Sequence, residues 1–394
     1  MFDELELGDA ISLTIDYRGK TPKKLGGDWS TEGYRALSAK NIKTGAIVQE
    51  ESIRLVSPSI YKLWMKEEIQ RGDILITSEA PFGQVFHWDS EEKIVLSQRL
   101  FAIRPNTKVA DSRYLYYYMT SRDFQHELSS RATGTTVVGL RQPELLKCKV
   151  KLPPIEAQKQ IAKILSNLDH KINLNARIND NLLQQLRTLY KAWFIDCLPF
   201  GNQVPSDWRE GRLSDVLKLT KNSTKKEKRP DLLYLPIDVI PMNDFALTEM
   251  RPNSEAQSSL ITFDKDDILI GAMRVYFHRV LPAPCAGITR STCFVLKAIS
   301  NEYFSFALLT CDLDDCINFA QSRSKGSTMP YAIWEGGLGD YPINIPSTQV
   351  LKEFNQRTKP LIEKIQNSYF ENKNLMELRD SLLPKLLSGE IKLG

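Results

Sequence analysis

Two stretches decide the fold: LPPIEAQKQIAKILSNLDHKI at residues 152–172 and IPSTQVLKEFNQRTKPLIEKI at residues 345–365. Each contains a proline at its start and continues in residues that favour a helix. A shift of about 193 residues lays the first stretch on the second, and it also matches NDNL at 179–182 with NKNL at 372–375. The sequence therefore predicts an internal duplication, in the order globular unit, long helix, globular unit, long helix.

Apolar residues recur every three or four positions in both stretches, and this pattern is typical of a narrow coiled-coil seam. Each helix is predicted to run about 40 residues, from Pro154 to near Phe194 and from Ser347 to near Leu387, or about 60 Å. We expect the two helices to pack antiparallel about a pseudo-two-fold axis, with packing of each on its own domain as the alternative. The predicted seam residues are Ile161, Leu165, Leu168, Ile172, Leu182, Leu186, Leu361, Ile365, Leu375 and Leu382.

Asparagine interrupts the predicted seam. Asn175, Asn179 and Asn372 fall at seam positions of the two helices. A polar residue in a seam lowers the stability of a coiled coil but fixes its register. We therefore expect a helix pair of definite register.

The globular units contain short β-branched and aromatic runs broken by glycine and proline, which predicts mixed α and β structure. The duplication pairs Asp73 with Asp267 and, with a gap of three residues, His87 with His278. The predicted fold class is α+β, with two mixed α/β domains separated by the two long helices. The predicted segments are 1–152 for the first domain, 153–200 for the first helix and linker, 201–345 for the second domain and 346–394 for the second helix.

Length and composition exclude several classes of protein. A chain of 394 residues favours two or three domains, and 42% hydrophobic with 25% charged residues is typical of a globular protein. The net charge of +4 does not by itself indicate a nucleic-acid partner. The six cysteines contain no C-x-x-C pair, and no apolar run approaches the roughly 20 residues of a membrane span. We expect a cytoplasmic protein without structural zinc or membrane contact.

Two motifs come close to enzyme signatures. RGKT at 18–21 ends like a phosphate-binding loop, but Thr14 stands where that loop needs glycine. Asp73, Glu91 and Lys93 have the spacing of a metal-dependent nuclease, but the second unit keeps only the aspartate. The four histidines are far apart and lack a nearby second ligand. We therefore expect no catalytic centre, metal or cofactor, and retain a nuclease as an alternative.

Basic residues cluster near the start of both units. They are candidates for contact with nucleic-acid phosphates, and the alternative is that they lie on lysine-rich loops that only face solvent. A second set surrounds Gly134 and Gly326, which match in the duplication. Arginine and glutamine can contact base edges and glycine permits close approach, although a tight turn is the alternative. The candidate DNA-binding residues are Arg18, Lys20, Lys23, Lys24, Arg131, Thr133, Thr135, Thr136 and Arg141 in the first unit, and Lys221, Lys225, Lys226, Lys228, Arg229, Arg323, Lys325, Ser327 and Thr328 in the second.

The helical stretches also carry a family resemblance. LPPIEAQKQIA at 152–162, WFID at 193–196 and VPSDW at 204–208 resemble the central region of specificity (S) subunits of type I restriction-modification systems. Residues 345–390 resemble the C-terminal region of the same subunits. The second helix departs from the pattern, because PST at 346–348 replaces the doubled proline and the E-x-Q motif is missing.

The resemblance implies two target recognition domains, held apart by an antiparallel helix pair, that read a split and asymmetric sequence in double-stranded DNA. It implies two methyltransferase (M) subunits that dock on the helices and methylate adenine with S-adenosylmethionine. It also implies restriction (R) subunits that add ATP-driven translocation and cleavage. This chain would be the non-catalytic specificity subunit and would need no cofactor. A coiled-coil scaffold without DNA recognition is the second alternative.

Overall fold

The structure is a computed structural model, and it describes residues 3–134, 138–257 and 259–391. The chain divides into two compact units. The first comprises residues 1–169 and 378–394, and the second comprises residues 170–377. Thr135 and Thr136, two of the predicted DNA-binding residues, lie outside the described residues.

Each unit combines strands, short helices and part of the long helices. In the first part of the chain the elements are β1 (Asp3–Glu6), α1 (Leu7–Ala10), β2 (Ile11–Asp16), β3 (Tyr34–Leu37), β4 (Ile42–Lys43), β5 (Ala46–Ile47), β6 (Arg54–Val56), α2 (Pro58–Trp64), β7 (Ile74–Thr77), β8 (Val85–His87), β9 (Ile94–Leu96), β10 (Leu100–Pro105), α3 (Ser112–Thr120), α4 (Arg122–Ser130), α5 (Gln142–Leu146), β11 (Lys149–Leu152) and α6 (Ile155–Tyr190), which a π-turn extends over Lys191–Ile195. The elements that follow are β12 (Arg209–Arg212), β13 (Leu217–Leu219), β14 (Ser223–Thr224), β15 (Leu260–Phe263), β16 (Ile268–Gly271), β17 (Val280–Pro282), β18 (Gly287–Arg290), β19 (Cys293–Ala298), α7 (Phe304–Cys311), α8 (Asp314–Ser322), β20 (Pro342–Ile345) and α9 (Thr348–Ser388).

The main sheets of the two units have the same strand order. In the first unit the order is β2-β10-β7-β8, and in the second it is β13-β19-β16-β17, with antiparallel pairing throughout. The central strands β7 and β16 are buried at every position, which is why both read as continuous apolar runs. The duplicated α+β fold predicted from the sequence is confirmed.

Asp73 and Asp267 occupy the same place, directly before the central strand of each sheet. The Asp73 carboxylate accepts a hydrogen bond from the backbone N–H of Gln70, and the Asp267 carboxylate accepts one from the backbone N–H of Asp264, both at 2.8 Å. The predicted match of these aspartates is confirmed, and each caps the turn that starts a strand.

The predicted match of His87 with His278 is wrong. His87 pairs with Ile74 in the first sheet, whereas Pro282 pairs with Ile268 at the corresponding place in the second. His278 lies before β17, at the end of a short 3₁₀ turn over Val275–Phe277. The three-residue gap needed for the sequence match is the sign that this segment has a different backbone path.

Two-stranded ribbons precede the long helices. β1 pairs with β11 and β12 pairs with β20, so the first strand of each domain lies beside its last. α6 and α9 then begin within a few residues of β11 and β20. The helix bounds of 155–190 and 348–388 agree closely with those predicted from the apolar spacing.

Gln158 anchors the start of α6. Its Nε2 donates hydrogen bonds to the carbonyl oxygens of Val109 at 3.0 Å and Pro153 at 2.8 Å. Its Oε1 accepts one from the backbone N–H of Asp111 at 2.8 Å. The corresponding position of α9 is Leu351, which is buried in the apolar core. The absence of the E-x-Q motif therefore marks a change from polar to apolar anchoring.

The ends of the long helices pack on the globular part of each unit. In the first unit, Ile161 and Leu165 of α6 and Leu386 of α9 are buried in one core with Phe101 and Tyr114. The predicted seam residues are buried or half-buried at all ten positions. Part of the predicted seam thus contacts a domain core, which was the alternative to a pure coiled coil.

A second core forms around the aromatic residues at the end of α6. Trp193 and Phe194 pack with Trp208, Phe306 and Phe354, with Phe194 4.7 Å from Phe354 between ring centroids. This core also contains Leu186 and Ile365 from the predicted seam. The WFID segment therefore serves as packing for the second unit.

Polar side chains join α6 to α9 within the second unit. Asn175 donates to Asn372 at 2.7 Å and to Glu371 at 3.0 Å, and Asn179 donates to Ser368 at 2.7 Å. As the residue number increases along α6, the number of its partner in α9 decreases, so the paired parts of the helices are antiparallel. The predicted asparagines lie in the helix pair and hold its register.

The long helices carry charged residues throughout their length. Among the residues that the structure describes, no helix combines the length and apolar character of a membrane span.

Candidate nucleic-acid interface

A short segment that is closed by a backbone pair and has glycine as its second residue lies at the same place in both units. In the first, the backbone N–H and C=O of Thr133 pair with those of Gly139, at 2.9 Å in both directions. In the second, Lys325 pairs with Tyr331 at 2.8 and 2.9 Å. We call the segments closed by the Thr133–Gly139 and Lys325–Tyr331 pairs the glycine hairpins, although residues 135–137 of the first lie outside the described residues. Each follows a short helix, α4 or α8.

The glycine hairpins attach to the main sheets in the same way. The backbone N–H of Leu140 donates to the carbonyl of Ser78 at 3.0 Å, and that of Ala332 donates to the carbonyl of Ala272 at 2.8 Å. Ser78 and Ala272 directly follow β7 and β16. The match of Gly134 with Gly326, predicted from the sequence, therefore holds in three dimensions.

Glycine adopts a positive φ at the same position of both hairpins. Gly134 has φ 114° and Gly326 has φ 92°, in the region that residues with a Cβ rarely adopt. A Cβ on Gly326 would lie 3.2 Å from the carbonyl oxygen of Met329. The chain after it is exposed, and the predicted residues Lys325, Ser327 and Thr328 all lie on the surface.

The arginines beside the hairpins differ in their partners. Arg131 is ion-paired with Glu127 at 2.8 Å and with Glu144 at 3.7 Å, and hydrogen bonding to Glu127 raises its pKa. Arg323 instead lies over the Phe319 ring, 3.6 Å from its centroid. Arg323 is exposed, so its guanidinium can reach a partner outside the chain.

Arg18 links the early basic segment to the first hairpin. Its Nη1 donates to the carbonyl of Leu140 at 3.3 Å, and its guanidinium lies 3.9 Å from the Phe101 ring centroid. Asp16 holds the same guanidinium through bonds of 2.8 and 2.9 Å. The structure thus places Arg18 beside the hairpin. Asp16 and the Leu140 carbonyl already accept most of the hydrogen bonds that its guanidinium can donate.

The three lysines that follow are less tightly held. Lys20 donates to the carbonyl of Trp64 at 2.9 Å, and its pKa is lowered, first by burial and then by the charge of Lys66. Lys24 donates to the carbonyl of Gly19 at 2.7 Å. Lys23 is exposed, as is Arg141 just before α5.

The basic segment of the second unit divides into two parts. Lys221 lies 3.8 Å from Glu335, shortly after the second hairpin. Lys226 donates to the carbonyl of Ser254 at 3.2 Å and Arg229 pairs with Asp231, while Lys225 and Lys228 are exposed. In the described ranges no recorded contact joins these last four residues to the hairpin.

A concave surface in the first unit contains functional candidates that the sequence did not reveal. Gln98 and Arg99 lie between β9 and β10, and they line this surface together with Lys40, Arg54 and Trp29. These residues come from four separate segments, so no charge run marks them in the sequence. The one sequence signal for Gln98 and Arg99 is their position after β9, which corresponds to that of Ser291 and Thr292 after β18.

Exposed apolar side chains flank the second hairpin. Tyr276 and Phe277 lie in the 3₁₀ turn, with ring centroids 5.0 Å apart, and Met329 lies in the hairpin itself. The backbone N–H of Arg274, just before the turn, donates to the carbonyl of Pro330 at 2.8 Å. The turn and the hairpin therefore form one surface, and because these side chains are uncharged, no charge pattern marks them in the sequence.

Two of the residues with nuclease-like spacing, Asp73 and Lys93, form ion pairs with other side chains. Asp73 is buried and its carboxylate forms a bidentate pair with Arg104, at 2.8 Å for both bonds. Lys93 pairs with Glu68 at 3.0 Å. Over the described parts of the chain, no three His, Cys, Asp or Glu side chains converge as metal ligands.

The family of type I restriction modification DNA specificity domains matches the chain twice, at residues 2–184 and 205–374. The type I restriction enzyme MjaIX specificity subunit of Methanocaldococcus jannaschii is 27% identical over 352 residues, which cover 82% of this chain and 78% of that protein. The HindI specificity subunit of Haemophilus influenzae is 20% identical over 432 residues, covering 89% and 94%.

A solved structure has a similar fold. The S subunit of a type I restriction-modification system from M. genitalium aligns with a TM-score of 0.60 at 16% identity, covering 98% of this chain and 96% of that one. At this identity the likeness concerns the fold alone. The resemblance noted in the helical stretches is confirmed by the two family matches.

Proposed function

Because the chain belongs to the family of type I restriction modification DNA specificity domains and is a specificity subunit, the DNA-recognition component of a type I complex, we propose that it reads a bipartite, asymmetric DNA sequence. The two halves of the sequence would be read by target recognition domains at residues 1–152 and 201–345. The chain would direct adenine methylation and restriction that partner subunits perform.

One observation carries this proposal: the glycine hairpin recurs at the same sheet position in both units. A duplicated surface element suits a protein that makes two similar contacts with one duplex. The hairpins differ in sequence, TGTTVVG against KGSTMPY, so the two contacts would not be the same. Different contacts in a shared frame are what an asymmetric sequence requires.

The predicted DNA-binding residues divide into two roles under this proposal. Exposed lysines such as Lys23 and Lys225 would contact phosphates, which adds affinity without sequence information. Arg323, Ser327 and Thr328 at the second hairpin would approach base edges. Arg18 and Arg131 are held by carboxylates, and we assign them to positioning the first hairpin.

We propose that two M subunits dock on the long helices, with R subunits completing the restriction complex. Leu174 of α6 and Phe370 of α9 are exposed, at 43% and 39%. Large apolar side chains exposed on a helix are suited to contact another protein. The cytoplasm, where such a complex would meet DNA, stays the predicted compartment.

The test is methylation of a randomised duplex library by the full chain together with an M subunit. We expect methylated adenines in two short sequence elements separated by an unspecified spacer. Methylation without a split motif would contradict bipartite recognition. DNA cleavage by the chain alone with Mg²⁺ would instead favour the nuclease, and no binding of duplex even with the M subunit would favour the scaffold.

A further inference from the structure

The concave surface of the first unit is polar and positively charged. Its lining includes Trp29, Lys40, Arg54, Gln98 and Arg99. Lys40, Arg54, Gln98 and Arg99 are all exposed, so their polar ends can reach a partner. Three cations and an amide around one hollow favour a ligand that carries both negative charge and hydrogen-bonding groups.

Two of the cations have no acidic partner within the part of the chain that the structure describes. Among residues 3–134, 138–257 and 259–391, no recorded ion pair involves Lys40 or Arg54. The Arg54 guanidinium lies over the Trp29 ring, 3.7 Å from its centroid, which holds the planar group flat without neutralising it. These two charges are therefore available to phosphate groups at the edge of the hollow.

Arg99 is held in a defined direction. Its Nε lies 2.9 Å from Oε1 of Glu79, and its side chain is still 51% exposed. No other contact of the guanidinium is recorded in the described ranges, so both terminal amino groups stay available as a pair of donors. Arg99 is therefore oriented by one side of its guanidinium and open on the other.

The first glycine hairpin supports this ion pair. A Cβ built on Gly139 would lie 3.3 Å from Oε2 of Glu79, so the hairpin backbone lies against the carboxylate. Arg99 has φ 63° and its carbonyl accepts a hydrogen bond from the N–H of Ser78 at 2.9 Å. A non-glycine residue held at positive φ is unusual and is maintained by its surroundings.

The second unit has different residues at the same places. Thr292 occupies the position of Arg99. The backbone N–H of Ala272, directly after β16, donates a hydrogen bond to the carbonyl of Thr292, as that of Ser78, directly after β7, does to the carbonyl of Arg99. Ser291 and Met273 then correspond to Gln98 and Glu79. The two units therefore share the frame and differ in the donors that it presents.

We propose that Gln98 and Arg99 read purine bases in the half-site bound by the first unit, with Lys40 and Arg54 on the adjoining phosphates and Glu79 as a positioning residue. Paired donors of arginine suit the O6 and N7 of guanine, and the glutamine amide suits N6 and N7 of adenine. This inference rests on the proposed function and adds the residues and the base class for one half-site.

The experiment measures methylation by the full chain with an M subunit on duplexes in which each base of the first half-site is varied. Arg99→Ala and Arg99→Lys should each lower discrimination at one purine position about tenfold to a hundredfold. Arg99→Lys keeps the charge and loses the paired donors, so it should retain affinity for unrelated DNA. The second half-site should be read as before.

Arg71→Ala is the matched control, because Arg71 is an exposed arginine that also pairs with a carboxylate, that of Asp89. Arg71 precedes the start of β7, whereas Glu79 follows the end of this strand. Arg71→Ala should leave discrimination unchanged. Glu79→Gln should weaken discrimination at the same base as Arg99→Ala, whereas a different base or none would overturn its positioning role.

The outcomes separate this inference from the proposed function. Unchanged discrimination in both Arg99 variants, or an equal loss on all sequences, would overturn base reading by Arg99. Unchanged discrimination in Gln98→Ala would do the same for Gln98. If the unmodified chain already lacked a split motif, the proposed function itself would fail, and that result is visible before any variant is made.

Discussion

Asn175 of α6 donates a hydrogen bond from Nδ2 to Oδ1 of Asn372 in α9, over 2.7 Å. The sequence predicts that both residues interrupt an apolar seam and fix its register. In the structure they contact each other, and Lys171 and Glu371 form an ion pair of 3.0 Å beside them. A polar layer of this kind fits only one alignment of the two helices.

Removing this layer should cost stability. Asn175→Ala removes hydrogen bonds to Asn372 and Glu371, and we expect urea-induced unfolding to show a loss of about 1–3 kcal/mol. Asn173→Ala, on the exposed face of the same helix, should change stability by less than about 0.5 kcal/mol. Equal effects of the two substitutions would show that the layer does not contribute.

The second glycine hairpin should be sensitive to its backbone. Gly326→Ala places a Cβ at positive φ and 3.2 Å from the carbonyl oxygen of Met329. We expect methylation directed by the second half-site to fall at least about fivefold, since strain of about 1–3 kcal/mol would displace the hairpin. Gly336→Ala carries a similar φ of 72° with open space around it, and it should keep normal methylation. Normal methylation by both variants would remove the hairpin from the interface.

Phosphate contacts should appear in the salt dependence of DNA binding. Lys225→Ala should weaken binding to specific and unrelated duplexes alike, and it should lower the slope of log affinity against log salt by about one. Lys159→Ala is the control, because that lysine pairs with Glu156 at 2.7 Å on α6. An unchanged slope for Lys225→Ala, measured by fluorescence anisotropy, would exclude this contact.

His87 should make the first unit sensitive to acid. Burial, with the charge of Arg113 as the second cause, lowers the pKa of His87 to about 4. In the unfolded chain the His87 imidazole binds a proton below about pH 6.5, and in the folded chain it does so only below about pH 4. The free energy of unfolding therefore decreases as the pH falls from about 6.5 to about 4. The expected loss between about pH 7.5 and about pH 5 is on the order of 2 kcal/mol.

His87→Asn should reduce that loss in urea-induced unfolding at the two pH values. His126→Asn, a substitution at an exposed histidine of the same unit, is the control for the substitution itself and should change stability at about pH 7.5 by less than about 0.5 kcal/mol. The same pH dependence in His87→Asn and the unmodified chain would contradict a role for His87 burial.

The sequence predicted the long helices and the duplication because both rest on patterns that one chain displays by itself. Apolar spacing located α6 and α9, and Asp73 and Asp267 aligned because each has the same local task of capping a turn. Gly134 and Gly326 aligned for a similar reason, since the hairpin needs a residue that adopts positive φ. Features with a local physical cause were therefore predictable.

The errors and omissions concern features set by tertiary contacts. His278 could not be separated from a true partner of His87, because the different path of its segment depends on the packing of α8 against Val275–Phe277. Arg99 does not stand out in the sequence, because Glu79, which orients it, and Arg54, which lines the same concave surface, come near it only after folding. Trp193 and Phe194 stand out in the sequence as part of a family motif, but the aromatic core that they form depends on contacts with residues distant in the sequence.

The most direct test of the central claim is a genome-wide map of methylated adenines in cells with and without this gene. We predict one split motif, asymmetric between its two halves, that is methylated when the gene is present and unmethylated when it is deleted. An unchanged methylation map after deletion would contradict the account.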